Sequence, residues 1–137
     1  MTKKQIILGN RISELPALTA FIEECGEEWQ LGPEVVFNLQ LALEECVTNV
    51  IMYAYPPEEQ HTLQVTAELQ KPELIFTIED SGVPFDPTQV AEADTSLPAE
   101  ERPIGGLGIF LVRQLMDSVE YRREGDRNLL TLRKQVN

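Results

Sequence analysis

Two hydrophobic periods divide the chain. Residues 3–9, KKQIILG, predict a short first strand, and Asn10 to Ser13 turn the chain, with Pro16 where a helix can start. From Leu15 to Trp29 apolar residues recur at Leu18, Phe21, Ile22, Cys25 and Trp29, the spacing of one helix face. Gly32 and Pro33 stop that helix and start the next. The longest periodic segment, EVVFNLQLALEECVTNVIMYAY over 34–55, ends at Pro56 and Pro57. Period-two alternation then predicts strands over 61–70 and 73–79, joined by a turn at Lys71 and Pro72. A polar stretch with several prolines leads to Gly105, Gly106 and Gly108, which open a last helix predicted to run to about Val119. YRREGDRNLLTLRKQV reads as a hairpin turning near Gly125 and Asp126.

Strands thus come as hairpins between helices, not in strict strand–helix alternation. That order predicts an α+β fold: a two-layer sandwich with a mixed, mostly antiparallel sheet and helices on one face. The 137 residues suit a single domain over 1–137, large enough to bury a core without metal or disulfides.

Charge narrows the partners. A formal net charge of −12 repels nucleic-acid phosphates and anionic membrane surfaces and suits a partner with a basic face. Ile6 to Leu8 is too short an apolar run for a signal peptide or a membrane span, which leads us to expect a cytoplasmic protein. Cys25 and Cys46 read as reduced core thiols, and His61 as a surface residue.

Candidate chemistry sits in three places. On the wheel of the long helix, Val36, Leu39, Leu43, Val47, Val50 and Ala54 share a face that packs on the sheet. Glu45 and Asn49 lie one turn apart opposite it, beside Leu41, Ala42 and Met52. A carboxylate and an amide oxygen pointing the same way can hold magnesium and a nucleophile near a phosphate, though the same pair also reads as exposed helix surface. In EDSGVPFDP, residues 79–87, Asp80 ends a strand and Gly82 permits a tight turn; an Asp there can accept from the amino group of adenine, or simply make an Asp-x-Gly turn. In GGLGIF, residues 105–110, glycines open a helix whose N–H groups and dipole suit a phosphate, or mark a plain helix start. No Gly-Lys-Ser/Thr follows, so this is not a Walker A loop.

Together, LALEECVTNVIMYAY (41–55), EDSGVPFDP (79–87) and GGLGIFLVRQLMDSVEY (105–121) resemble the GHKL ATPase superfamily of Bergerat fold, and within it the anti-sigma-factor serine/threonine protein kinases. The likeness covers nearly the whole chain. It implies ATP and Mg2+ as cofactors. It assigns Glu45 as the general base for the phosphoacceptor hydroxyl and Asn49 as the magnesium ligand. It assigns Asp80 to the adenine amino group, Gly82 to making room for the base, and Gly106 and Gly108 to the phosphates. It makes Pro84 to Pro103 a lid, with Arg102 either at a phosphate or in solvent.

The same resemblance implies a kinase that sequesters a sigma factor, phosphorylates an anti-anti-sigma STAS-domain antagonist on serine, and works as a homodimer, with the Leu15–Trp29 helix a candidate part of the dimer surface. The alternative is a non-catalytic, nucleotide-gated partner switch that binds a target other than a sigma factor.

Overall fold

A computed structural model describes residues 2–56, 58–89 and 106–136. The elements are β1 (Lys3–Gly9), α1 (Leu15–Glu28), α2 (Pro33–Tyr53), β2 (Thr62–Gln70), β3 (Glu73–Asp80), α3 (Gly106–Leu115), β4 (Ser118–Glu124) and β5 (Arg127–Gln135). Proline stands in the first turn of both α1 and α2, where its missing N–H costs nothing.

The last helix is shorter than its periodicity predicts. It stops at Leu115, because Asp117 N already donates to Arg133 O (2.8 Å) and the chain has joined β5. Val119 is therefore a strand residue, packed against the core from β4.

The five strands lie in the order β1-β2-β3-β5-β4. Every pairing among the described residues is antiparallel, which corrects the expected mixed sheet. The crossover through α3 does bring β4 back in the direction of β3. However, β5 folds in between them, so the two like-directed strands never touch.

Alternation decides which side of the sheet the helices cover. Leu63, Val65, Ala67 and Leu69 of β2, Leu74, Phe76 and Ile78 of β3, and Leu130 and Leu132 of β5 are buried. The residues between them are partly or fully exposed. Leu39, Leu43 and Val47 of α2 are fully buried in the same core, and α2 also packs against α1 and α3. This explains why α2 is, among the described residues, the one helix long and apolar enough to cross a bilayer: it is the central core helix. Cys25 and Cys46 are buried free thiols, and Trp29 is buried at the end of α1.

One joint fixes α2 to the end of β3. Val83 N donates to Ala54 O just past the helix (2.9 Å), and Ser81 N donates to the Tyr55 hydroxyl (2.7 Å). A Cβ on Gly82 would lie 2.2 Å from the Ala54 carbonyl oxygen, so only glycine allows this approach. Gly32, at the N-cap of α2, has open space where its Cβ would be. We therefore expect Gly82→Ala to destabilise the fold by about 1–3 kcal/mol in urea denaturation, and Gly32→Ala by less than ~0.5 kcal/mol.

Candidate functional site

The apolar rows of the sheet end in polar residues. Leu74, Phe76 and Ile78 face the helices, and the next inward position of β3 is Asp80. Its partner across the antiparallel ladder is Asn128, the first inward residue of β5, whose partner in turn is Arg123 of β4. Asp80 and Asn128 are each only 4% exposed, so both need partners inside the protein. Asp80 Oδ1 accepts from Gly82 N (2.8 Å) and Asn128 Nδ2 (2.9 Å). Arg123 Nη1 donates to Gly82 O (2.8 Å) and to Asn128 Oδ1 (3.2 Å).

Above this row lies a small cavity between α2 and the sheet. Its walls are largely apolar: Val50 and Ala54 from α2, Ile78 and Leu130 from the sheet, and Phe85 from the loop after β3. Phe85 packs on Tyr53 with ring centroids 5.4 Å apart. Asn49 and Asp80 both line the cavity. Among the described residues no hydrogen bond engages the Asn49 side chain or Asp80 Oδ2. Apolar walls with a few converging polar groups suit a flat heterocycle carrying a hydrogen-bond donor.

Asn49 does not lie opposite the sheet-packing face, as the wheel suggested. It sits on its flank with Cys46, is buried, and opens into the cavity under the helix. Cys46 is enclosed so fully that burial pushes its thiol up to about 12, and it stays protonated.

Glu45 is only half-buried, on the side of α2 that meets α3. A Cβ on Gly108 would fall 1.7 Å from Glu45 Oε1, so the glycine leaves the space that the carboxylate fills. Burial first, and the neighbouring Glu44 second, push the Glu45 carboxyl above its ordinary value. Gly106 is the first residue of α3, so the Glu45 carboxylate lies near the open N–H groups of that helix's first turn. Arg113 Nη2 donates to Thr88 O (2.6 Å) and ties α3 to the 3-10 turn at Pro87–Gln89.

The structure thus brings Asn49 and Asp80 to one cavity and Glu45 and Gly108 into contact beside it. Gly82 is adjacent, and its missing side chain makes room for the Ala54 carbonyl. Gly105, Arg102 and the segment 90–103 of the expected lid lie outside the described residues. His61, expected at the surface, is half-buried and stacks on Tyr55 with centroids 4.1 Å apart.

Sequence reasoning missed Asn128, Tyr121, Phe85 and Cys46 as cavity residues. One signal for Asn128 was present: it occupies the inward phase set by Leu130 and Leu132, where a strand facing a core normally carries an apolar side chain.

The raised Glu45 carboxyl yields a stability prediction. The folded state holds the Glu45 proton more tightly than the unfolded chain does. Its contribution is therefore present below the unfolded value and lost as pH rises through the raised folded one. Glu45→Gln should melt at a higher temperature than the native protein at pH 7–8, and the gain should shrink towards pH 4. Thermal denaturation across that range checks it.

Comparison with known proteins gives the family of the chain. Residues 9–134 match the histidine kinase-like ATPase domain family. The chain is 33% identical over 97 residues to the serine-protein kinase RsbW of Listeria monocytogenes, covering 67% of this chain and 62% of that protein, so it spans less than two thirds of that relative. It is 30% identical over 113 residues to the anti-sigma F factor of Clostridium perfringens, covering 79% of each. Among solved structures, the RsbU and RsbW domains of a Mycobacterium tuberculosis protein superpose with a TM-score of 0.70 at 14% identity, over 98% of this chain and 32% of that one, which is a likeness of fold. The chain belongs to the histidine kinase-like ATPase domain family and, within it, to the group that contains the anti-sigma-factor serine kinases.

Proposed function

We infer that this chain is an ATP- and magnesium-dependent serine protein kinase acting as an anti-sigma factor. In this reading it holds a sigma factor inactive and phosphorylates a STAS-domain anti-anti-sigma protein on serine. It works in the cytoplasm, as a homodimer. The observation that carries the reading is the convergence of Asn49 and Asp80 on one largely apolar cavity, with Glu45 one helical turn from Asn49 and against the first turn of α3. Membership of the family and the names of its relatives, serine-protein kinase and anti-sigma F factor, support the same assignment.

Each residue has a role its surroundings suit. Asp80 Oδ2 accepts from the adenine amino group while Oδ1 stays engaged inside the protein. The walls built by Val50, Ile78, Leu130 and Phe85 take the faces of the base and keep water out. Asn49 Oδ1 would hold magnesium, a cation that keeps several waters and needs few protein oxygens. A magnesium ion held there would supply positive charge to offset that on the transferring phosphoryl group. Gly106 and Gly108 let the α3 backbone amides approach the phosphates.

Glu45 takes the proton of the acceptor serine hydroxyl. Its raised carboxyl is suited to that work, because a base poised nearer to neutral pH accepts a proton more readily. Its half-exposed position, one helical turn from Asn49, keeps it within reach of a partner protein's side chain.

Two variants separate binding from catalysis. Asn49→Ala should weaken ATP binding in the presence of magnesium by roughly tenfold or more, and should lose the difference in affinity between magnesium and EDTA, read by calorimetry. Glu45→Gln should keep nucleotide affinity within about threefold, yet lower phosphate transfer to the STAS partner by roughly 10²–10⁴. In the native protein the transfer rate should fall on acidification with a midpoint above the ordinary carboxylate range, following the raised Glu45 carboxyl. Tight nucleotide binding by the native protein with no transfer would instead establish the non-catalytic, nucleotide-gated switch.

A further inference from the structure

Asn128 lines the cavity, yet it has nothing left to offer a ligand. Its Nδ2 donates to Asp80 Oδ1 (2.9 Å) and to Val83 O (2.9 Å). Its Oδ1 accepts from the Tyr121 hydroxyl and from Arg123 Nη1 (3.2 Å). Two donors and two acceptor sites are the full capacity of a side-chain amide, and all are used. Turned over, the amide would set oxygen against the Asp80 carboxylate and the Val83 carbonyl, and NH2 against a guanidinium. One orientation is therefore enforced by four groups from three parts of the chain.

This arrangement dictates what Asp80 presents. Oδ1 is held by Gly82 N and Asn128 Nδ2, both donors. That leaves Oδ2 towards the cavity, and an ionised carboxylate held by donors can only accept there. We propose that Asn128 is the positioning residue that sets base specificity: by donating to Asp80 Oδ1 it keeps Asp80 an obligate acceptor, so the cavity takes a 6-aminopurine and refuses a 6-oxopurine. The inference rests on the nucleotide-binding reading above and deepens it. An amino group at purine position 6 donates to Oδ2. An oxo group there sets acceptor against acceptor in a buried place, and unpaired polar groups of that kind are what give sites their largest discrimination.

With an acceptor in place of Asn128 Nδ2, two carboxylates at hydrogen-bond distance would share one proton. Only when that proton sits on Oδ2, and not between the two carboxylates, would Asp80 donate to an oxo group. With a side chain too short to reach, the carboxylate would turn more freely and Oδ2 would lose its fixed direction.

The test compares ATP with ITP, which differ only in the amino or oxo group at position 6 and the proton on N1. Dissociation constants for both, with magnesium, are measured by calorimetry on the native protein, Asn128→Asp and Asn128→Ser. The native protein should prefer ATP by at least about 100-fold. Asn128→Asp should cut that preference by roughly tenfold or more, with ITP binding gained and the change growing as pH falls. Asn128→Ser, small enough for the strand, decides the matter if the aspartate variant does not fold; it should cut the preference in the same direction through loss of ATP affinity. A residue that merely supports the strand would weaken both nucleotides together, and an unchanged ratio in a folded variant would overturn the proposal. So would a native protein that binds ATP and ITP alike. A native protein that binds neither would overturn the nucleotide-binding reading itself.

Discussion

Polar atoms carried under a layer of helices have to find partners there, and the end of this sheet is where that requirement is met. Asp80 and Asn128 continue inward rows that are otherwise leucine, isoleucine and phenylalanine, and they face each other across the β3–β5 ladder. A slip of one residue in that pairing would turn Asn128 to the outer face and leave the Asp80 carboxylate buried without its amide. The same hydrogen bonds that make the register costly to change therefore also shape the floor of the cavity. Arg123 and Tyr121 extend the arrangement to β4.

The helix above that floor serves two purposes on adjacent sides. Leu39, Leu43 and Val47 are committed to the core, while Asn49 flanks them over the cavity and Glu45 turns towards α3. A half-buried carboxylate beside another acidic residue is a poor choice for stability, and burial raises its affinity for a proton accordingly. A residue of that kind suits the proton-accepting role proposed for Glu45. Gly108 fits this view, because the absent side chain there is what leaves room for the Glu45 carboxylate.

Much of the fold was legible because its periods are clean. The boundaries of α1, α2, β2 and β3 follow from helical spacing, strand alternation and proline punctuation, and Asp80 was recognisable as a polar residue closing an alternating strand. The end of α3 was not legible, since Leu111, Val112, Leu115, Met116 and Val119 keep helical spacing straight through the start of β4. The break comes from Asp117 pairing with Arg133, a contact between residues far apart in sequence. The wheel also misplaced Asn49, because a helix wedged between a sheet and two neighbours has more than one inside face. Asn128 escaped notice for a related reason: its meaning depends on the residue opposite it in the ladder, and no local pattern names that partner.

The placement of β5 has a consequence for how the protein comes into being. β3 and β4 run the same way and leave a slot one strand wide, which the following strand must enter with neighbours on both sides. Asp80 and Asn128 are 48 residues apart along the chain, so closing the floor of the cavity waits on one of the longer loop closures in the fold. A nascent chain that has displayed α2 and the first hairpin still lacks the groups that orient Asp80. The floor of the cavity thus waits for β5, and a chain made only as far as β4 has no finished pocket.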